Sequence, residues 1–328
     1  MTRNDNIMNI LLLGGTGYLG GHIAKKLVDE GHNVICVVRN TSNTDRLEYL
    51  NIQFVSNEFG ELRLVFKHNR IDWVINAVCT YTVNDDTLYG DMLESNLIFP
   101  LGVLNMGIKY GVKNYISLGT SLPSDFNFYS FTKGKFSDFG QYLCKTDDFN
   151  FADLKLEMFY GDIGRPKSRF IDICISKLLN NEELLLTSGY QKRDIIHVND
   201  VVEIISRIII SNFVEGYKQL PVGTGEHHSI KEIVLYLKDE IGSDSELKFG
   251  AIKDRKNEPD TLADISWLKI IDYQLKYGYF EGLKSACISR GGGWNINPEK
   301  DYNAWKDVRI SEKYYCNRRR HIFKRLAA

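Results

Sequence analysis

Tyr129 and Lys133 stand four residues apart, so on a helix a phenol and an ammonium share one face. An unperturbed phenol ionises near pH ~10, and a fixed cation beside it favours the phenolate. Tyr129 is therefore a candidate general acid or base, with Lys133 the expected charge that tunes it. Tyr302 and Lys306 repeat the spacing, so position has to choose between the pairs. Tyr129 follows the apolar run Tyr115–Leu118 and the hydroxyl-bearing Thr120-Ser121, whereas Tyr302 lies in the carboxyl-terminal stretch. A hydroxyl at Thr120, just past a strand's carboxyl end, can bond the substrate oxygen that Tyr129 protonates.

A second constellation is Gly14-Gly15-Thr16-Gly17-Tyr18-Leu19-Gly20, set between a continuous apolar run (Asn9–Leu13) and an amphipathic segment (Tyr18–Glu30) closed by Gly31. Glycines at 14, 17 and 20 let backbone N–H groups and a helix N-terminus approach a diphosphate. Strand before and helix after is the context that makes this spacing a dinucleotide signal. The next apolar run ends Val37-Val38-Arg39-Asn40. A carboxylate there would repel a 2′-phosphate, whereas the Arg39 guanidinium can grip one, helped by Asn40 and by Thr41 or Ser42. NADP(H) is the expected cofactor and NAD(H) the less favoured one; an Arg39 that is merely exposed, or stacked on adenine, is the competing reading.

Short apolar runs alternating with helical periodicity position these groups. Val34–Val38, Ile52–Val55, Trp73–Val78 and Tyr115–Leu118 read as further strands, with a long helical pattern from Met92 to Lys109. Near-continuous apolar strands mean a sheet covered on both faces, hence an α/β fold: a doubly wound parallel (Rossmann) sheet with a smaller mixed α/β substrate domain. The expected division is a cofactor domain over 1–150 completed by later strands, a substrate-binding region over 151–283 that opens on one strand (Leu154–Phe159), and a basic, aromatic appendage over 284–328. Its run Arg318-Arg319-Arg320-His321 reads as a solvated tail or packing helix.

Composition narrows the partners. Lys and Arg number 41 against 42 Asp and Glu, a formal net charge of -1, so no global positive field exists to hold nucleic acid or an anionic bilayer. No apolar run is long enough to span a membrane, and the start MTRNDN lacks a secretory pattern; a cytoplasmic protein is expected. The six cysteines form no Cys-x-x-Cys pair, and no metal site is expected. Cys36 and Cys79 read as buried strand thiols, and His227-His228 as a solvated loop pair.

These residues resemble the extended short-chain dehydrogenase/reductase family that works on nucleotide sugars. The likeness rests on the glycine loop, on Thr120, Tyr129 and Lys133, and on Arg193-Asp194-Ile195-Ile196-His197-Val198-Asn199-Asp200, and covers about Asn9 to Leu283. Within the family the chain looks most like reductases of CDP-linked 3,6-dideoxy-4-keto sugars. Gly119–Pro123, Leu154–Gly161, Leu186–Gly189 and Phe249–Ile252 ahead of Arg255 carry that narrower likeness. The resemblance implies Thr120, Tyr129 and Lys133 acting together, with Tyr129 and Lys133 also touching the cofactor and Lys133 holding the nicotinamide ribose. It implies Ala77 in the cofactor groove, Asn96 anchoring its helix, and Arg193 on the substrate diphosphate, with Arg255 as a second candidate. Ser121, Met158 and Arg169 are the further expected substrate contacts. A CDP-sugar substrate, a role in lipopolysaccharide O-antigen deoxysugar synthesis, and a homodimer through the helices near 92–109 and 129–143 follow on the same ground.

Three chemistries share such a scaffold. A dehydratase needs an acidic pair beside the threonine, and Thr120 is followed by Ser121 and Leu122. A 4-epimerase with tightly bound NAD would want an acidic ribose partner where Arg39 stands. A reductase that consumes NADPH fits both positions; a non-catalytic NADPH-binding scaffold is the remaining alternative.

Overall fold

Four of the five residues of the first strand are buried, as are the four between the ends of the second, which a sheet achieves only with helices on both faces. The computed structural model describes residues 7–81, 89–161 and 169–291. In chain order the first half runs β1 (Asn9–Leu13), α1 (Tyr18–Asp29), β2 (Asn33–Val38), β3 (Ile52–Ser56), α2 (Phe59–His68), β4 (Trp73–Asn76), α3 (Tyr89–Leu93), a π-helical turn (Glu94–Ile98), α4 (Phe99–Lys109), β5 (Asn114–Leu118), α5 (Phe128–Thr146) and β6 (Asn150–Leu156). The second half adds β7 (Met158–Tyr160), α6 (Phe170–Leu179), β8 (Leu184–Leu185), β9 (Lys192–Arg193), β10 (Ile195–His197), α7 (Val198–Ser211), β11 (Tyr217–Val222), β12 (His228–Ser229), α8 (Ile230–Ile241), β13 (Leu247–Lys248), a 3₁₀ turn (Ser266–Ile271) and α9 (Tyr279–Gly291).

Seven strands form one parallel sheet in the order β11-β6-β5-β4-β1-β2-β3. The order reverses at β1, where a doubly wound sheet opens a crevice at the strands' carboxyl ends. One core packs α1 and α7 on one sheet face, with Ile23, Leu27, Ile204 and Ile208 among its buried residues. A second packs α2, α4 and α5 on the other, around Leu62, Val103 and Phe136. A third lies away from the sheet among α6, α8 and α9.

The expected strand Leu154–Phe159 is two. β6 belongs to the large sheet, while β7 leaves it to pair with β10. The helical pattern at 92–109 is interrupted by the π turn. The chain through residue 287 belongs to the third core, where Ala286 and Cys287 are buried beside Leu283. Tyr302, Lys306 and the basic run lie outside the described residues. Among the described residues no helix is long and apolar enough to cross a membrane.

Candidate active site

The start of α5 is fixed by its own sequence. The Asn127 side chain accepts from the Ser130 N–H at 2.8 Å, and the Ser130 hydroxyl takes the Asn127 N–H at 3.2 Å. Tyr129 is thereby set in the first turn, with Lys133 one turn on. The Lys133 ammonium, 4% exposed, donates to Val78 O at 2.8 Å and Leu118 O at 3.0 Å, tying the ends of β4 and β5 to the helix. Burial pushes the amine below its ordinary value, and Cys79 and Asp153 work against that.

Tyr129 is half-buried, with Tyr81 edge-on at 5.0 Å and the Arg169 guanidinium over Tyr81 at 5.8 Å. Burial, then the neighbouring Cys79, raise the phenol well above its ordinary value; the Arg169 charge and the Thr120 hydroxyl oppose them. The Arg169 guanidinium, at the start of α6, is thus a further cation that favours the phenolate, while the Lys133 ammonium, one turn on, is held by backbone carbonyls. Cys36 is buried as expected, its thiol pushed up to about 11 by burial. Cys79 is not buried in a strand: it is exposed beyond the end of β4, beside Tyr129.

The β5–β6 ladder continues past Leu118, with Gly119 N bonding Leu154 O and Ser121 N bonding Leu156 O, which carries Thr120 and Ser121 to the crevice edge. The Thr120 oxygen accepts from the Leu122 N–H at 3.3 Å. Ser121 donates to Glu157 at 2.9 Å, a carboxyl that the sequence reading missed. Glu157 is 5% exposed and is pushed up to about 7, first by burial and further by Asp194, against the pull of Thr261, Ser121 and Arg193. A signal for it existed: Asp153, Lys155 and Glu157 place charges at every second residue of an otherwise apolar strand, on one face.

Asn96, fully buried in the π turn, receives the Thr80 N–H at 2.8 Å and donates to Thr80 O at 2.9 Å and Thr132 Oγ1 at 3.3 Å. It fastens the loop after β4 to α5 and so fixes Cys79 and Lys133 relative to each other; π turns recur where one side chain must be re-aimed.

At the glycine loop, Gly14 takes φ +76° with its α-carbon against the Ala77–Val78 backbone, leaving a β-carbon only 2.9 Å from three of its atoms. A β-carbon on Gly20 would collide with Gly14 and Gly15. These two glycines serve the packing of β1, α1 and β4, a role distinct from the ligand clearance expected of them; Gly17, which caps α1, is the exposed one. Leu19 is buried in the core, leaving only its backbone to a ligand, and Tyr18 stacks on Phe159. Arg39 and Asn40 are exposed beyond β2, in a turn where Ser42 N bonds Arg39 O and Ser42 Oγ takes the Arg39 N–H. A cleft beside the loop is lined by Thr16, Tyr18, Lys25 and Arg46, which adds a second arginine that the sequence reading missed.

Farther along the crevice, Arg193 is 6% exposed and pairs with Glu258 at 2.5 Å while donating to Pro259 O and Lys192 O. Arg255 reaches the same Glu258 oxygen at 3.9 Å, so the two arginines expected on a diphosphate converge on one carboxylate. Met158 lies half-buried in β7 against the third core.

Residues 10–220 match the NAD dependent epimerase/dehydratase family. The chain belongs to that family. Among the relatives of this epimerase/dehydratase chain is CDP-abequose synthase of Salmonella typhimurium, 28% identical over 84% of this chain and 96% of that protein. Two solved structures share the fold. UDP-glucuronic acid 4-epimerase from Bacillus cereus, in complex with UDP-glucuronic acid and NAD, has a TM-score of 0.76 at 20% identity over 86% of this chain and 98% of its own. UDP-glucose 4-epimerase from Thermotoga maritima, with UDP-glucose, has a TM-score of 0.74 at 22% identity over the same shares.

A dinucleotide fits what this epimerase/dehydratase chain offers. The twelve-residue helix α1 begins at Gly17 with no side-chain cap and no acidic residue in its first turn, so its N–H groups and dipole remain available to a diphosphate.

Proposed function

We propose that the protein reduces the C4 ketone of a CDP-linked 3,6-dideoxy-4-keto-hexose, with NADPH as the hydride source. The observation that carries this reading is Arg39 at the end of β2, where a 4-epimerase with tightly bound NAD would want an acidic ribose partner, together with the Tyr129 phenol beside the Thr120 hydroxyl. A ketone reductase needs a proton donor at the start of each turnover, which a neutral phenol is; a reaction that begins by oxidising an alcohol needs a base. In the proposed step Tyr129 gives its proton to the developing alkoxide while Thr120 bonds the same oxygen. The loop Gly14–Gly20, Arg39, Asn40, Ser42, Ala77 and Lys133 would hold the dinucleotide. Arg193 and Arg255 would exchange part of their hold on Glu258 for the substrate diphosphate, with Ser121, Met158 and Arg169 lining the sugar.

Support for NADPH over NADH comes from the absence of a carboxylate at the β2 end, where Arg39 stands, and from Arg46 beside the loop. Our sequence reading favours the CDP-paratose product, as formed by CDP-paratose synthase; the likeness to CDP-abequose synthase favours its C4 epimer. The test is incubation with CDP-3,6-dideoxy-4-ketoglucose and NADPH, following dinucleotide absorbance and assigning the sugar by NMR. Oxidation of NADPH only when the keto sugar is present supports the proposal. Interconversion of nucleotide sugars with no added dinucleotide would replace it with a 4-epimerase, the reading favoured by the NAD in the B. cereus neighbour.

Two further assignments belong to the same reading. The protein works in the cytoplasm, where CDP-sugars for O-antigen assembly would be made. It acts as a homodimer through α3–α5, whose outward residues Leu93, Ile98, Phe131, Phe139 and Tyr142 expose apolar surface.

A further inference from the structure

Beneath Lys133 lies a carboxylate that the proposed reaction does not use. Asp153, in the middle of β6, is 1% exposed. Its Oδ2 receives the Ser137 hydroxyl in a short hydrogen bond and pairs with the Lys155 ammonium at 3.1 Å. Its Oδ1 is buried with no hydrogen-bond partner among the described residues. That oxygen presses on the α-carbon of Gly119, where any side chain would collide with it. The Lys133 ammonium donates to the carbonyl of the same Leu118–Gly119 peptide. Ser137 sits one turn beyond Lys133 on α5, so the carboxylate is fastened to the helix that carries the lysine. A buried carboxylate oxygen left unpaired costs free energy, and a leucine in this strand would avoid the cost. The arrangement is understandable if the negative charge itself is needed.

We propose that Asp153 is a positioning residue that keeps the Lys133 side chain charged and seated on the Val78 and Leu118 carbonyls. It acts through Lys133 and touches neither cofactor nor substrate. The groups facing this pair are Cys79 from the loop after β4, Tyr129 on α5 itself, Lys155 on β6 and Tyr217 from β11, whose hydroxyl lies 2.6 Å from Ser137 Oγ. Burial alone would drive Lys133 toward the neutral amine, and of these neighbours Asp153 is the carboxylate that counters it. The inference rests on the dinucleotide part of the proposed function and not on the sugar.

The test compares Asp153→Asn, which keeps the shape and the acceptor for Ser137, with Lys155→Met, which removes the competing cation. NADPH affinity is measured by fluorescence from neutral to alkaline pH, with the keto-sugar reduction rate as a second profile and thermal melting to establish folding. Loss of the lysine charge weakens binding as pH rises, so removing Asp153 should move the alkaline limb toward acid by about one unit. Lys155→Met should leave the limb in place or move it up. A folded Asp153→Asn protein whose limb coincides with wild type overturns the proposal, as does a Lys155→Met limb shifted to acid like that of Asp153→Asn. A shifted binding limb in a protein that reduces no CDP-4-keto sugar would uphold Asp153 and reject the sugar assignment alone.

Discussion

Two buried cations, Lys133 on α5 and Arg193 in β9, are held in different ways. Lys133 donates to two backbone carbonyls and has its nearest carboxylate charge below it, whereas Arg193 is locked directly to Glu258. Backbone acceptors leave a lysine cationic without cancelling its field, which fits the cofactor-side role proposed for it. A direct buried ion pair gives a rigid anchor that must partly open before it can bind an anion. The contrast teaches that chemistry and anchoring demand different solvation of the same kind of charge.

The largest effect that would sharpen the contrast is at Tyr129. Tyr129→Phe should lower the turnover rate by about 10²–10⁴-fold while dinucleotide affinity, measured by fluorescence, stays put; near-wild-type turnover would remove the chemical end from the comparison. At the anchor end, Glu258→Ala leaves Arg193 buried and unpaired. Melting should show a loss on the order of 3 kcal/mol, partly restored by saturating CDP. No loss would mean the pair is not an anchor.

Glu157 bonds Ser121 and feels the Arg193 charge. Its carboxyl is raised from 4.5 to about 7 on folding, so the folded protein binds the extra proton across that window and stability falls as pH rises through it. Glu157→Gln should flatten this fall by roughly 3 kcal/mol in denaturant titrations on either side of the window. An unchanged slope would mean that Glu157 is ionised throughout. The smallest effect is expected at Arg39, where Arg39→Ala should cut the preference for NADPH over NADH by about tenfold. If Arg46→Ala does so instead, the 2′-phosphate grip belongs to the cleft beside α1.

Much of this site was legible before folding. The strand runs, the glycine loop and the Tyr129–Lys133 face are local patterns of period and spacing, and local patterns survive without knowledge of the fold. Glu157 and Asp153 were passed over because a charge in an apolar run looks like an interruption until a neighbouring strand supplies Ser121 or a helix supplies Ser137. Cys79 was misread for the converse reason: an apolar run looks buried, yet β4 stops at Asn76 and leaves the thiol at the crevice.

The sequence by itself determined a doubly wound α/β chain, a glycine loop at the first strand–helix turn, and a phenol and ammonium on one helical face. Tertiary structure alone decided which partner each charge meets: Lys133 with the ends of β4 and β5, Arg169 near Tyr129, Arg193 with Glu258, and Asp153 under Gly119. The physical reason is range. Periodicity acts over a few residues, whereas the field at a buried charge is set by groups that only the packing of sheet and helices brings within a few ångströms.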